Sequence, residues 1–396
     1  MVRTRTRALA LATALALPVG ACSFGGGGGD ETPPPTSAEG AQGGAADDDE
    51  TSTGTDDSEQ SSEVAAPPSD PGRVVLVTHD SFNVPEELVA QFETQTGYDL
   101  EIQLSGDAGE LTNQLVLTAG RPVADAVFGI DTTFASRAVG EEVLAAYTPA
   151  GLPESAEEHA LAEGEAAYLT PVDYGDVCVN IDNVWFANNG VEPPQTLLDL
   201  TKPEYEDLFV TPGATTSSPG MSFLLATIGA FGPGEWQPYW EDLMANGAKV
   251  TSGWTDAYSV DFTAGGGDGD RPIVLSYASS PPFTIPEGGW QPTTSALLDT
   301  CFRQVEYAGV LEGAANPEGA QAVVDWLVSP EVQASIPDNM YMYPVSDEVA
   351  LPELWAQFAP LAEDPIVVPP RQIEEERETW LREWADIATG GTGAGA

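Results

Sequence analysis

The chain predicts an α/β fold with a largely parallel sheet, and three observations carry that expectation. Between Arg73 and Asp131, apolar runs of strand length alternate with segments of helical period. This strand–helix–strand–helix–strand order lays helices over a parallel sheet. Polar residues follow each of the three strands at once: His79-Asp80-Ser81, then Asp107, then Asp131. Ligands of such sheets bind beyond the carboxyl ends of the strands. Finally, 396 residues exceed what one hydrophobic core commonly serves, so two compact parts are expected once low-complexity sequence is set aside.

At the N-terminus Arg3, Arg5 and Arg7 precede an apolar run from Ala8 to Val19, which is the layout of a secretory signal and too short to span a bilayer. Val19-Gly20-Ala21-Cys22 resembles the bacterial lipobox, which predicts a signal over residues 1–22 and lipidation of Cys22. Such a chain is anchored to a membrane rather than spanning it. Residues 23–72 are Gly, Pro, Ser, Thr, Ala, Asp and Glu with almost nothing apolar and no base, a composition that predicts a disordered acidic tether. The folded part is expected over residues 73–390, with a disordered tail at 391–396.

Arg73–Thr78 reads as a buried strand. Asn83 is placed to cap the helix that follows, with Pro85, Glu86 and Glu87 in its first turn and Gly97 at its end. Leu100, Ile102 and Leu104 alternate as a second strand, Glu110–Ala119 as a second helix, and Ala124–Ile130 as a third strand ending at Asp131. Asp131 suits a ligand site or a helix cap equally well. Asp173-Tyr174-Gly175 lies between apolar runs in Tyr168–Asn180. Thr215–Gly220 precedes an apolar helix from Met221, and free N–H groups and hydroxyls at a helix start can take an anion or carbonyl, or Ser can simply cap it. Gly265–Asp270 lacks the Lys-Ser/Thr of a phosphate loop and reads as a turn. Asn316–Gln333 and Gln372–Ile387 are amphipathic helices, the last carrying Trp380 and Trp384 on one face for packing.

The segment Ser252–Pro282 carries the clearest ligand chemistry. It offers Trp254 and Tyr258, then a strand that delivers Ser276, Tyr277, Ala278, Ser279 and Ser280 at its end. Aromatic faces beside hydroxyls suit a flat cationic ligand, at about 0.5–2 kcal/mol per cation–π contact. A core strand followed by a Ser/Pro turn is the plainer reading of the same residues.

Charge excludes one class of partner. The chain has 63 acidic and 13 basic residues; 12 of the acids and three of the bases precede Arg73, leaving 51 against 10 and a net charge of about −41 on the folded part. No basic stripe exists for nucleic acid. A cation would be steered inward, although an excess this large is chiefly a matter of solvation. Cys178 and Cys301 in an exported chain suggest one disulfide, with two buried thiols as the alternative, and two histidines without nearby cysteines make no zinc site.

NPEGAQAVVDWLVSPEVQ (316–333) resembles the late helix of extracytoplasmic solute-binding proteins of ABC importers. More narrowly, the chain resembles the thiamine-binding periplasmic protein family through THDSF (78–82), ADAVFGID (124–131), PVDYG (171–175), TSSPG (216–220), GWTDAY (253–258), VLSYASSP (274–281), MYPV (342–345) and RETWLREW (377–384), in the family's order. The resemblance implies a two-lobed type II periplasmic-binding-protein fold, each lobe a mostly parallel sheet flanked by helices, with the chain crossing between lobes more than once and the ligand in the interlobe cleft. It implies a lipid-anchored, monomeric receptor on the outer face of the cytoplasmic membrane that delivers thiamine or a thiamine phosphate to an ABC permease, with no cofactor, metal or catalysis. Asp107-Ala108, Ser217-Ser218, Trp254 and the run Tyr277–Ser280 fall on family binding positions. His79 stands where the family often has tyrosine, Ala108 replaces a glycine, and Tyr341 replaces a tryptophan. Expected roles follow from the chemistry. Trp254, Tyr277 and Tyr341 stack, Asp107 accepts from the aminopyrimidine or offsets the thiazolium, and Ser217, Ser218, Ser279 and Ser280 hold the hydroxyethyl or phosphate end. His79, Asp131, Asp173, Tyr174 and Ala278 complete the expected site. Two alternatives share the fold: a ferric-iron receptor using Tyr341 and Tyr343, and a thiamine-cleaving enzyme with Cys178 as nucleophile.

Overall fold

The computed structural model describes residues 72–162 and 164–390. The expectations for the signal and Cys22 at 1–22, for the tether up to residue 71 and for the tail at 391–396 lie outside the described residues. The chain opens with β1 (Arg73–Thr78), α1 (Glu86–Thr96), β2 (Asp99–Leu104), α2 (Ala108–Leu117) and β3 (Ala126–Asp131). β1 lies between β2 and β3 and is parallel to both, in the register Arg73↔Asp99 and Leu76↔Ala126. Val74, Leu76, Val77 and Thr78 are all buried, as a strand covered on both faces requires. Helix α1 begins after Pro85 and its first turn has no side-chain cap, whereas Asn83 donates to the Asn339 carbonyl instead. The expected cap fails because the helix starts three residues beyond Asn83. Gly97 ends it in the left-handed conformation, φ 79°. Helix α2 starts at Ala108, ahead of the expected Glu110, because the Asp107 carboxylate caps it.

After α3 (Ala135–Gly140) and β4 (Leu144–Ala145) the chain enters β5 (Thr170–Asp182), a single strand where the sequence shows two apolar runs. The second lobe follows: α4 (Asn183–Asn189), β6 (Phe209–Pro212), α5 (Ser218–Phe231), α6 (Trp236–Ala245), β7 (Lys249–Thr251) and β8 (Ile273–Tyr277). β6 is parallel to β7 and to β8, so each lobe has a parallel three-strand set. The 18-residue β9 (Thr294–Leu311) then returns to the first lobe, followed by α7 (Pro317–Leu327), α8 (Pro330–Asn339), β10 (Tyr343–Pro344), α9 (Glu353–Phe358) and α10 (Pro370–Ala388). The helix expected over 316–333 is therefore two. Pro330 has no N–H and disfavours helix at Ser329, which is extended (φ −66°, ψ 151°) and restarts the next helix as its cap.

The two lobes share one continuous sheet in the order β2-β1-β3-β9-β5-β8-β6-β7, rather than holding a separate sheet each. β5 and β9 run antiparallel through both lobes. Their register breaks between Val177 and Val179, where the partners jump from Phe302 to Leu297. Cys178 and Cys301 are joined by a disulfide at that break, wholly buried, with Ala278 packed against them. The crossing strands are thus tied together where the chain passes from lobe to lobe. On the second lobe α10 packs Trp384 edge-on against Trp240 of α6 at 5.6 Å.

Candidate functional site

The strand ends and helix starts of the two lobes face one another across a cleft. From the first lobe come His79, Asp80, Ser81, Asp107, Ala108, Glu306, Met340, Tyr341 and Met342; from the second come Ser218, Trp254, Tyr258, Tyr277, Ser279, Ser280 and Phe283. Three carboxylic acids line this cleft and no Lys or Arg does.

The aromatic wall rests on a short π-helical turn, Asp256–Asp261. It stacks the Tyr258 ring on the Trp254 indole at 5.0 Å and 16°, and Tyr277 meets the indole edge-on at 6.3 Å. A hydrogen-bond chain fixes the indole: Trp254 Nε1 donates to Ser276 Oγ at 3.0 Å, and Ser276 Oγ lies 2.8 Å from Ser280 Oγ. Tyr277 donates to Gln304 Oε1 at 3.1 Å. Burial pushes the Tyr258 phenol up to about 12. Burial, followed by the surrounding carboxyls, holds Tyr277 well above the ordinary phenol range. Both rings therefore remain neutral stacking surfaces.

Asp107 joins the lobes. Its Oδ1 accepts from its own helix at Ala108 N, 2.7 Å, and from Ser218 N at the start of α5, 3.0 Å. Its Oδ2 accepts from Trp254 N at 2.9 Å. Burial raises this carboxyl, and the N–H donors of Trp254 and Ser218 oppose that shift by favouring the anion. Thr216 to Ser218 present the helix-start anion site expected from sequence, but the anion it holds is the protein's own Asp107. Ser218 Oγ donates to Asp131, which also accepts from Thr133 N, Thr133 Oγ1 and Phe134 N. Asp131 is thus both a local cap and a second interlobe tie. Ser217 caps α5 at Gly220 N, 3.3 Å. Two glycines permit close approaches here, Gly109 between the lobes and Gly129 within the first lobe. A Cβ on Gly109 would fall 2.5 Å from the Thr216 carbonyl carbon, and one on Gly129, at φ 102° in the β3 bulge, 2.4 Å from the His79 ring. On the opposite rim Ser279 Oγ donates to the Tyr341 carbonyl at 2.5 Å, and Tyr341, at φ 56°, meets the Phe283 ring at 4.2 Å.

Of the expected site residues, His79, Asp107, Ala108, Ser218, Trp254, Tyr277, Ser279, Ser280 and Tyr341 line the cleft. Ser217 and Asp131 are buried just behind it, holding its edges together. Within the protein the Ser217 hydroxyl accepts from Gly220 N and the Ser218 hydroxyl donates to Asp131. Ala278 is buried against the disulfide, and Tyr174 points away from the cleft because successive strand residues alternate faces. It stacks instead between His159, at 4.1 Å, and Tyr343, at 5.5 Å. Tyr343 bonds the Ala359 carbonyl, so it does not join Tyr341 at a common metal position. Among the described residues no group of three His, Cys, Asp or Glu is placed to hold a metal ion. Cys178, spent in its disulfide, offers no thiolate. Sequence reasoning missed Glu306, Phe283 and the Met340/Met342 pair. The signal for Glu306 was an acid set in the apolar run Val305–Leu311.

The geometry has counterparts among known proteins. A thiamine-binding periplasmic protein of Salmonella typhimurium is 29% identical over 318 residues, covering 78% of this chain and 92% of that protein. One from Escherichia coli is 28% identical over 318 residues, covering 78% and 92%. The solved structure of a periplasmic thiamin binding protein superposes with a TM-score of 0.70 at 25% identity, over 80% of this chain and 96% of the other. A ferric binding protein from Campylobacter jejuni shares the fold with a TM-score of 0.62 at 15% identity, over 79% and 99%. The model of the bacterial extracellular solute-binding protein family matches residues 79–334, and the chain belongs to that family.

Proposed function

We propose that this protein captures thiamine in the interlobe cleft and delivers it to an ABC permease, as an exported monomer held to the outer face of the cytoplasmic membrane through lipidated Cys22. The observation that carries the reading is the cleft's composition. An indole backed by a stacked phenol stands beside Tyr277 and Tyr341, and among the described residues the lining includes the acids Asp80, Asp107 and Glu306 and no Lys or Arg. A flat organic cation gains cation–π attraction from the rings and Coulombic attraction from the acids. A phosphate ester brings negative charge into the same space and meets no Lys or Arg to receive it, which favours thiamine over its mono- and diphosphate. Thiamine-binding relatives spanning nearly their full length support the same ligand. The ferric reading is disfavoured by Tyr343, which donates to the Ala359 carbonyl and does not line the cleft with Tyr341.

Calorimetric titration of the purified protein with thiamine, thiamine monophosphate and thiamine diphosphate tests this. Thiamine is expected to bind at least tenfold more tightly than the diphosphate. The reading fails if thiamine gives no binding heat, and the charge argument fails if the diphosphate binds best.

A further inference from the structure

Glu306 stands in β9 with an acid on either side. The register pairs it with Asp131 of β3 and with Asp173 of β5. Directly opposed residues of neighbouring antiparallel strands present their side chains on one face. Three carboxyls therefore form a row under the cleft, and of the three only Glu306 reaches its lining.

Donors are shared unevenly along this row. Asp131 has Thr133, Phe134 and Ser218. Glu306 has Gln304 Nε2, at 3.2 Å. Asp173 is wholly buried and neither of its oxygens meets a donor N–H or O–H of the protein. No Lys or Arg among the described residues compensates. Arg303 is bidentate to Asp176, and Arg377 donates to the Thr133 carbonyl and to Glu378. His79 Nδ1 accepts from Ser81 N, leaving Nε2 to carry the ring proton, 3.8 Å from Glu306 and without a hydrogen bond. The remaining titratable neighbour is Tyr277, which reaches Glu306 through Gln304 and itself feels Asp107. Two facing buried carboxyls with so few donors cannot both ionise, and a proton between them supplies the missing bond.

We propose that Glu306 and Asp173 hold one proton between them in the ligand-free protein and release it to solvent when a cationic ring seats over Glu306, so that capture is coupled to deprotonation. The bond broken is the carboxyl O–H, the proton passes to water, and the ring's positive charge replaces it opposite the carboxylates. Burial pushes Asp173 up to about 7 and holds Glu306 well above the ordinary range, in keeping with a pair that is protonated near neutrality. This deepens the thiamine reading and rests on it for the identity of the cation.

The test is thiamine calorimetry of the full chain near neutral pH, in buffers of different ionisation enthalpy, together with Glu306→Gln and Asp173→Asn. The wild type is expected to release close to one proton per thiamine, with affinity rising toward tenfold per pH unit while the pair titrates. Either substitution is expected to abolish the release and flatten the pH dependence. Binding without proton release by the wild type, or unchanged release in a folded Glu306→Gln protein, overturns the proposal. If thiamine does not bind at all, the functional reading fails separately. The infrared carboxylic-acid band of the ligand-free protein then still decides: a band lost in Glu306→Gln supports the shared proton, and its absence at neutral pH refutes it.

Discussion

Replacing Asp107 by Asn weakens the interlobe tie while keeping the helix cap, and it also removes one of the three acids that face a bound cation, so lobe separation is read beside affinity. Asn is as good a helix cap as Asp, so α2 keeps its start. What changes is acceptor capacity. The Asp107 carboxylate serves Ala108 N and Ser218 N with one oxygen and Trp254 N with the other. An amide has a single oxygen, and if that stays on Ser218 its NH₂ group faces the Trp254 N–H, donor against donor. One charge-assisted bond is lost, worth about 1.5–3 kcal/mol, and the bonds that remain fall to roughly half strength. When the lobes part, Ser218 N and Trp254 N turn to water and feel no difference, so the cost falls on the closed arrangement alone. A total of about 3 kcal/mol corresponds to a roughly hundredfold rise in the apparent Kd for thiamine. Calorimetry gives the Kd, and small-angle scattering and the melting temperature report lobe separation and fold. The expected result is a hundredfold weaker, more open protein whose ligand-free melting temperature hardly moves. A Kd within twofold of wild type would refute the claim that Asp107 holds the lobes together. A large fall in melting temperature would show that it serves the core instead.

Further expectations follow from the same structure. Gly109→Ala improves intrinsic helix propensity by up to about 1 kcal/mol, yet its methyl would meet the Thr216 backbone at 2.5 Å. The methyl would also fall 2.8 Å from the buried Phe134 ring of its own lobe, so differential scanning calorimetry should show a modest fall in ligand-free melting temperature and titration a more than tenfold loss of thiamine affinity. Removing the disulfide as Cys178→Ala with Cys301→Ala frees a loop of 123 residues' separation, costing about 5 kcal/mol of chain entropy and roughly 5–10 °C of melting temperature. Asp173, wholly buried and raised to about 7 by desolvation, makes the native state bind more protons than the unfolded chain between its ordinary value of 3.8 and its folded value. Stability of the ligand-free protein should therefore fall as pH rises through that window, by up to about 4 kcal/mol. Asp173→Asn should reduce this dependence in denaturant titrations at several pH values, the remainder coming from Asp131 and Glu306, which burial also raises.

Local signals carried much of this architecture. The β1–α1–β2–α2–β3 unit could be read because its strands are continuous apolar runs and Gly97 stops its first helix. The ligand wall could be read because Trp254 and Tyr277 flank one strand and its turn, within a short stretch of chain. The same rules failed where tertiary context chose between equal local options. Asn83 and Pro85 both look like a helix start, and only packing shows that Asn83 reaches Asn339 instead. Asp131 was legible as a cap or as a site residue, and it is a cap that also ties the lobes through Ser218.

What stayed hidden is the part that long-range register creates. Tyr174 looked as eligible as Asp173 because a one-residue difference decides which face of β5 each takes, and nothing local fixes that parity. The acid row is the sharper case. Asp131, Asp173 and Glu306 come from three distant segments and become neighbours only because β9 lies between β3 and β5. A single buried Glu in Val305–Leu311 is a warning in the sequence, since such a residue needs a partner or a proton. Which of the two it has depends on the strands beside it, and here both present further acids. The lobe crossing that closes the cleft thus also builds the donor-poor acid pair beneath it, so closure on a cation and loss of the shared proton are expected to be one event.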